Sequence, residues 1–428
     1  MLTYDLRSIT SGNLCRHVGS KLAERQISLR LSVVSPFLDR QHGTESCIIE
    51  QIERLACQHG WRIHLYSQRV DQIETIPPSK LHETDGTIIW HRVPEIPGPH
   101  LLKYLWWLFA NHVQRWRNRR FDGSQTDLTY SPGINCLHPD LVAVHVVFHE
   151  LFVRAVSEIR ITQVPLRTWP RFIHRKLYYK LAILLEKKVY RDPRVRLVAV
   201  SNLVAGHLKA FFGRTDVLVI PNAVDTRRFS PSERVSRREK SRQSFGYSDQ
   251  DFVVLLIGND WKNKGLYALL RALSLLQDLP IRLLVVGSDD LVLCEPWLAT
   301  LTSRDRVRFE QPSRDVLSFY AAADSYVGPS LGDAFGMPIL EAMACGLPVI
   351  ASIRMGASEL INHGETGFLL SDPQDAWEIA GLIEKLYSHH SLRQKMGRAA
   401  SEYVHVNCSW DQNITKTREF LECILKDR

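Results

Sequence analysis

Long apolar runs in this chain are separated by loops rich in glycine, proline and charge. The runs FVVLLI (252–257) and LLVV (283–286) are continuous instead of alternating with polar residues. Continuous apolar strands are typical of parallel sheets that helices cover on both faces. Residues 251–290 are therefore predicted to form a strand, a loop, a helix and a strand.

Residues 30–67 repeat this design with a strand, a loop containing Gly43, an amphipathic helix and another strand. Apolar residues on one face of the predicted helix are Cys47, Ile48, Ile52, Leu55 and Ala56. Each of the two segments has the form of the first unit of a Rossmann-like domain. The sequence thus predicts an α/β fold with two such domains facing each other across a deep cleft.

The domain junction is predicted near residues 215–235, where a turn-rich passage precedes a highly charged segment. We divide the chain into an N-terminal Rossmann-like domain (1–215) and a C-terminal Rossmann-like domain (216–410). A C-terminal helix at about 411–428 is expected to pack back on the first domain. The charged segment 232–251 is expected to lie on the surface.

The segment LGDAFGMPILEAMACGLPVIAS (331–352) carries two acids eight positions apart. A strand is predicted before it at 325–330, and a helix from Gly336 with Pro338 in its first turn. Gly346 is predicted to end this helix, and a second strand follows at 348–352.

Asp333 then lies in a loop at the carboxyl end of a strand, where open α/β sheets bind ligands. Glu341 lies inside an apolar helix, so its carboxylate needs dedicated hydrogen-bond partners, and a pair of ribose hydroxyls would serve. The alternative is that Asp333 caps the helix and Glu341 lies on a solvated face.

Composition places the chain among ordinary globular proteins of two or three domains, with 428 residues, 45% hydrophobic and 23% charged. A net charge of +8 permits an acidic partner, whether nucleic acid, anionic lipid or a phosphorylated substrate. Neither an apolar run of about 20 residues nor a signal-peptide core is present, so we expect a cytoplasmic protein. The eight cysteines stand singly, without zinc-ligand spacing, and are expected to be reduced.

Four motifs in this order resemble one enzyme family. They are VIPNAVDTRRFSP (219–231), GNDWKNKG (258–265), DSYVGPSLGDAFGMPILEAMACGLPVIAS (324–352) and GASELINHGETGFLL (356–370). Together they are similar to the nucleotide-sugar-binding half of family-4 retaining glycosyltransferases with the GT-B fold. The resemblance implies a hexosyltransferase that moves a sugar from a nucleotide-sugar donor, UDP- or GDP-linked, to a glycan, lipid-linked or lipopolysaccharide-type acceptor, as in cell-envelope polysaccharide biosynthesis. It also implies that residues 1–215 bind the acceptor and residues 216–410 the nucleotide sugar.

The resemblance assigns the two acids to opposite ends of the donor. It implies that Glu341 binds the ribose hydroxyls, while Asp333 lies beside the sugar near the anomeric centre. The family usually has glutamate at the first position, and aspartate is shorter by one methylene. The start of the helix, with Phe335, Gly336 and Met337, would meet the donor phosphates.

Lys264 occupies the diphosphate-contacting lysine position of the family, although a solvated lysine at a helix start is the alternative. Gly258 and Asn259 open the same loop and are also assigned to the donor. The family often has arginine where this chain has Asn259. Either Lys262 or a neighbouring arginine supplies the charge, or the chain is similar to relatives with a small polar residue there.

In the first half, His145 follows an apolar strand, where family members place a histidine that touches the donor sugar. His149 is the second candidate, and a purely structural histidine is the alternative. Gly43 resembles a reduced form of the glycine-rich first loop of the family, which approaches phosphate with its backbone.

The family reaction retains the anomeric configuration, and we favour front-face attack with the leaving phosphate accepting the acceptor's proton. Asp333 is the one residue we could nominate as nucleophile for a double displacement. The phosphate loops carry no D-x-D-like metal motif, so we expect no obligatory metal and no cofactor.

Two stretches of the first half, 101–121 and 165–191, mix aromatic with basic residues. Such stretches can lie in the interface of an anionic membrane, which suits a lipid-linked or lipopolysaccharide acceptor. The alternative is that the aromatic residues belong to the domain core and the arginines face the solvent. With a membrane contact, the protein would be cytoplasmic and peripheral on the inner face of the membrane.

Other function classes are less well supported. A nucleotide-sugar epimerase of GT-B fold and a nucleotide-sugar-binding protein without catalysis stay open as alternatives. A dinucleotide-dependent oxidoreductase would need G-x-G-x-x-G after a strand, which is absent. No zinc-finger, recognition-helix or RNP pattern supports a nucleic-acid partner.

Overall fold

The computed structural model describes residues 29–40, 43–71, 73, 86–121, 125–155 and 169–427. The first half contains, in chain order, β1 (Arg30–Val34), β2 (Phe37–Leu38), α1 (Gly43–His59), β3 (Arg62–Ser67), β4 (Arg69–Val70), β5 (Ile88–Arg92), α2 (His100–Phe121), β6 (Leu128–Pro132), β7 (Leu141–Val144), α3 (Phe148–Ala155), α4 (Trp169–Tyr190), β8 (Arg196–Ala199), α5 (Asn202–Phe212) and β9 (Leu218–Val219). The second half contains α6 (Pro231–Ser244), β10 (Phe252–Ile257), α7 (Leu266–Ser274), β11 (Ile281–Val286), α8 (Glu295–Leu298), β12 (Val307–Glu310), α9 (Leu317–Ala322), β13 (Ser325–Gly328), α10 (Met337–Ala344), β14 (Val349–Ser352), β15 (Gly367–Leu370), α11 (Ala376–Ser388), α12 (His390–Asn407) and α13 (Trp410–Lys426).

Two parallel sheets organise the described residues. The first has the strand order β5-β3-β1-β6-β7-β8-β9 and the second β12-β11-β10-β13-β14-β15, while β2 and β4 form a small separate pair. The central strands β10 and β11 pair in parallel from Phe252 opposite Ile281 to Ile257 opposite Val286. Their side chains are almost all buried, as predicted from the continuous apolar runs.

Local predictions around the paired acids are confirmed. β13, α10 and β14 follow one another as predicted, with Pro338 in the first turn of α10. Gly346 after the helix has φ 71°, the left-handed conformation that glycine adopts most readily. The loop containing Asp333 therefore lies at the carboxyl edge of the second sheet.

The charged segment after Pro231 forms the helix α6, whose first turn is capped by Ser230. Most of this helix is exposed, as expected, but the Arg242 side chain is buried. Arg238 and Arg242 both form ion pairs with Asp324, at 2.7 and 3.1 Å. A buried guanidinium is tolerated here because a carboxylate and backbone carbonyls surround it.

The C-terminal helix α13 lies against α1 of the first half. The Gln51 amide donates to Asn413 Oδ1 at 2.9 Å, and Ile414 and Leu421 share a core cluster with Ile48. These contacts describe where α13 lies, and the division of the chain at residues 215 and 216 stays a prediction. No helix of the described ranges combines the length and the apolar character needed to cross a membrane.

Candidate functional site

Lys264 and Asp333 meet at the carboxyl edge of the second sheet. The Lys264 ammonium group donates to Asp333 Oδ2 at 2.5 Å, and each side chain is 20% exposed. The lysine stem lies over Gly258, where an added Cβ would come within 2.7 Å of Lys264 Cε. Gly258 also has φ 144°, which a residue with a side chain rarely adopts. This glycine lets Lys264 reach the acid.

Asn263 ties the lysine loop to the acid loop. Its side-chain amide donates to the Gly332 carbonyl at 2.9 Å, and its own carbonyl accepts from the Leu331 amide at 2.8 Å. Asn263 was not among the site residues predicted from the sequence, although it lies next to Lys264 in the motif. The partners of Asn263 are almost 70 positions away in the chain, so no local signal could identify its role.

Glu341 has the dedicated hydrogen-bond partner that was predicted. The Tyr320 hydroxyl of α9 donates to Glu341 Oε2 at 2.6 Å. Burial raises the pKa of the Glu341 carboxyl to about 7, while the Tyr320 hydroxyl and the charge of Arg228 act in the opposite direction. Glu341 is half-buried, and the alternative of a fully solvated face is wrong.

The start of α10 is open to a ligand. Its N-cap, Gly336, offers no side-chain acceptor, Pro338 has no N–H, and the Ile339 amide donates to the Gly336 carbonyl at 3.0 Å. The Gly336 and Met337 amides are therefore the donors that a ligand could meet at this helix start. Asp333 Oδ1 accepts instead from the Phe335 amide at 3.2 Å, two residues before the helix begins at Met337. Asp333 therefore orders the loop and does not cap α10.

The beginning of α1 in the first half lies beside the beginning of α10. Cys47 Sγ is 3.9 Å from Met337 Sδ, and a Cβ added at Gly43 would lie 3.7 Å from Met337 Cγ. Gly43 therefore lies beside Met337, and the predicted approach of its backbone to a donor phosphate stays a prediction. Two helix N-termini from different halves meet around Met337.

The N-terminus of α5 makes a second contact across the halves. The Ser201 hydroxyl donates to the Ala334 carbonyl at 2.8 Å and also accepts from the Val204 amide as the N-cap of α5. The neighbouring Asn202 amide donates to Glu359 Oε2 at 2.9 Å. Ser201 and Glu359 were not among the site residues predicted from the sequence, since their roles depend on this contact between distant parts of the chain.

Asn259 stands at the position where arginine is common in the family, and its side chain hydrogen-bonds to the loop after β11. Its Oδ1 accepts from the Ser288 amide at 2.8 Å. Lys262 is exposed at the same edge. In this loop Lys264 is therefore the partly buried cation, and Lys262 lies on the solvent side.

His145 follows β7 and has different surroundings from Lys264. It lines a small cavity together with Tyr130, Asn222 and Thr417. Burial lowers the pKa of His145 to about 4, so the imidazole is neutral at pH 7. A neutral histidine can accept or donate a hydrogen bond to a sugar hydroxyl without adding charge.

His149 is held by a buried acid from α4. Glu186 is fully buried and accepts from the Phe148 and His149 amides at 2.6 and 3.0 Å, which caps α3. Burial raises the pKa of Glu186 to about 7. The described contacts of His149 are thus structural.

A cavity of about 840 Å³ opens at the carboxyl edge of the first sheet. Its charged lining includes Asp39, Glu45, Arg69, Asp71, Glu95 and Lys103. Arg69 and Glu95 form a two-point ion pair at 2.5 and 2.7 Å. Such a mixed polar lining can hold a hydroxyl-rich ligand.

Within the described ranges, no three histidine, cysteine, aspartate or glutamate side chains are grouped to hold a metal ion. The expectation of a metal-free and cofactor-free reaction stays a prediction. In the site, Lys264 and the amides at the start of α10 are the groups that can meet negative charge.

Comparison with known proteins gives two adjacent family matches. The model described as Glycosyltransferase Family 4 matches residues 42–228, and the model described as Glycosyl transferases group 1 matches residues 237–403. A D-inositol 3-phosphate glycosyltransferase of Pseudarthrobacter chlorophenolicus is 32% identical over 241 residues, 53% of this chain and 56% of that protein. The chain thus spans little more than half the length of the curated relatives it matches.

Two solved structures resemble nearly the whole chain. The crystal structure of WaaG, a glycosyltransferase involved in lipopolysaccharide biosynthesis, has a TM-score of 0.68 at 18% identity and covers 90% of this chain and 98% of WaaG. The Anabaena HepE protein, crystallised with UDP and glucose, has a TM-score of 0.68 at 20% identity and covers 92% and 99%. These likenesses confirm the predicted fold, with two Rossmann-like units in the GT-B arrangement.

Proposed function

The chain belongs to the group 1, family-4 type glycosyltransferases of GT-B fold, and from this premise we propose that it moves a hexosyl group from a nucleotide-sugar donor to a glycan or lipid-linked acceptor. UDP- and GDP-sugars are the proposed donors. HepE, which shares the fold, was crystallised with UDP-glucose, and this supports a UDP-sugar. WaaG acts in lipopolysaccharide biosynthesis, which supports a glycan of the cell envelope as acceptor.

One observation carries the proposal: a cation, an acid and an uncapped helix start lie together at a sheet edge. Lys264 contacts Asp333 at 2.5 Å, and Asp333 in turn contacts the amide of Phe335, directly before α10. A diphosphate between Lys264 and the amides of Gly336 and Met337 at the start of α10 would be neutralised from two sides. Asp333 would then lie beside the sugar.

Glu341 is assigned to the ribose of the donor. It lies about one turn into α10, and the Tyr320 hydroxyl fixes one of its oxygens. The other oxygen can accept from ribose hydroxyls, which explains why a half-buried carboxylate is kept in an apolar helix. Gly43 of the first half completes the proposed donor site, together with Gly258, Asn259 and Met337. His145 lines a separate small cavity, and its proposed contact with the donor sugar rests on the family resemblance.

The proposed reaction retains the anomeric configuration. The bond between the anomeric carbon and the phosphate oxygen breaks, and its electron pair leaves with the nucleoside diphosphate. Lys264 and the amides of Gly336 and Met337 stabilise the developing negative charge. The acceptor hydroxyl oxygen bonds to the same face of the sugar, and its proton passes to the leaving phosphate oxygen.

Thermal shift against a panel of UDP-, GDP-, ADP-, CMP- and dTDP-sugars tests the donor assignment, with NAD and a short DNA duplex as contrasts. A ligand that binds the folded state raises its melting temperature, so one nucleotide class should stabilise the protein selectively. Stabilisation by NAD or DNA alone would contradict the proposal.

A second assay separates transfer from the alternatives. The selected donor is incubated with and without glycan acceptors, and the products are analysed by mass spectrometry and NMR. A glycosylated acceptor with retained anomeric configuration is expected. Epimerised donor in the absence of acceptor would indicate the epimerase, and donor binding without product would indicate the binding protein.

A further inference from the structure

Helix α2 exposes an apolar stripe on the side that faces away from the first sheet. Its members recur at intervals of three and four residues and are Leu102, Leu105, Phe109, Val113 and Trp116. Phe109 is 60% exposed and Trp116 is 55% exposed, whereas Trp107 is buried. Residues spaced in this way share one helix face. The aromatics of α2 are thus divided between the core and the solvent.

Helix α4 carries a similar stripe. Ile173, Leu177 and Leu184 are 45%, 50% and 63% exposed. Lys180 and Lys187 are exposed within the same helix, close to this stripe in sequence and by helical spacing. Exposed large apolar side chains usually stand singly on a protein surface, but here they cluster on two helices. Exposed apolar clusters of this kind mark interaction sites.

The two helices are neighbours. The Leu101 amide of α2 donates to His174 Nε2 of α4 at 3.1 Å. The ring of Tyr178 packs edge-on against His100 and Tyr104, with centroids 4.8 and 5.6 Å apart. We call the two exposed stripes with their flanking cations the α2–α4 face.

The exposed charges that the two helices themselves contribute are all positive. Helix α2 contains no aspartate or glutamate in its sequence, and the acid of α4 is Glu186, which is fully buried. Exposed cations of the two helices include Lys103, Arg117, Arg120, Lys180, Lys187 and Lys188. Two copies of such a face would repel each other, while an anionic lipid surface complements both its charge and its apolar stripes.

We propose that the α2–α4 face docks the protein on an anionic lipid bilayer. The apolar stripes enter the interfacial layer, and the lysines and arginines contact lipid phosphates. The same two helices line the 840 Å³ cavity of the first half through His100, Lys103, Tyr104 and Tyr178. These positions of α2 lie on the side of the helix away from its exposed stripe, so docking places the cavity about one helix diameter from the lipid surface. Resting on the proposed function, this favours a lipid-linked acceptor over a free glycan.

Vesicle flotation of the full chain tests the face. Phosphatidylcholine vesicles with and without phosphatidylglycerol are compared for the native protein, for F109Q/W116Q and for W377Q. Trp377 is 73% exposed on α11 and provides a matched control outside the face. Native protein and W377Q should bind anionic vesicles, and F109Q/W116Q should bind about tenfold more weakly.

A charge variant tests the contribution of the lysines to the proposed surface. K180Q/K187Q/K188Q should lose about fivefold in vesicle affinity for each lysine removed, and added salt should weaken native binding. Unchanged melting temperatures establish that the variants are folded. Equal flotation of F109Q/W116Q and W377Q, or no native binding to anionic vesicles, would overturn the proposal, as would a native dimer that F109Q/W116Q dissociates.

Failure of the docking proposal and failure of the proposed function are distinguishable. Stabilisation by a UDP-sugar without vesicle binding would leave the donor assignment intact and remove the membrane surface. Vesicle binding without stabilisation by any nucleotide sugar would keep the membrane surface and remove the donor assignment.

Discussion

Lys264 and Asp333 are 69 residues apart in the chain, yet the ammonium group of one donates to the carboxylate of the other at 2.5 Å. The pair lies at the carboxyl edge of the second sheet, directly before α10. A donor diphosphate that binds Lys264 must share or replace this contact. The two residues should therefore respond differently to substitution.

Replacing Lys264 with methionine should weaken binding of the donor nucleotide about ten- to a hundredfold, because a charge-assisted contact to phosphate is lost. Isothermal titration with UDP or the selected nucleotide measures the effect. Lys240→Met, at an exposed lysine of α6, is the matched control and should bind normally. A similar loss in Lys262→Met would show that the solvent-side lysine also contacts phosphate.

Replacing Asp333 with asparagine should reduce turnover by about tenfold or more while leaving nucleotide affinity unchanged or higher. The side chain keeps its size, but it no longer holds the Lys264 ammonium group as an ion pair. Turnover and nucleotide affinity are measured separately. If nucleotide affinity falls as far as in Lys264→Met, Asp333 is a binding residue and the assignment beside the sugar is wrong.

Donor affinity should rise between pH 6 and pH 8, because the pKa of Glu341 is about 7 and its ionised form is the stronger acceptor for ribose hydroxyls. Tyr320→Phe removes a hydrogen bond that favours the ionised form, so the midpoint should move to higher pH. Glu341→Gln should abolish the dependence. His145 has a pKa of about 4 and does not titrate in this range. A pH profile that Glu341→Gln leaves unchanged would refute the assignment.

Replacing Ser201 with alanine should destabilise the protein by about 1–2 kcal/mol and lower activity, since it removes both the cap of α5 and the contact with the Ala334 carbonyl. Ser230→Ala is the matched control, because Ser230 caps α6 within the second half. Chemical denaturation and transfer assays are compared for both variants. Equal activity of the two would show that the contact across the halves does not support the site.

Much of the fold could be predicted because its units are local. The strands, the helix after Gly336 and the left-handed Gly346 follow from apolar runs and turn residues within a few positions. The resemblance then placed Lys264 and Asp333 in loops that the structure brings together. Tyr320 and Asn263 could not be predicted in the same way, since their partners come from distant parts of the chain.

The sequence by itself determined the strand and helix periodicity, the net positive charge and the order of the motifs. Only the tertiary structure decided that Trp107 is buried while Trp116 is exposed, and that Ser201 of the first half contacts the loop of the second. The physical reason is that backbone conformation depends mainly on near neighbours in the chain. Burial and long-range hydrogen bonds depend instead on which surfaces the folded chain brings into contact.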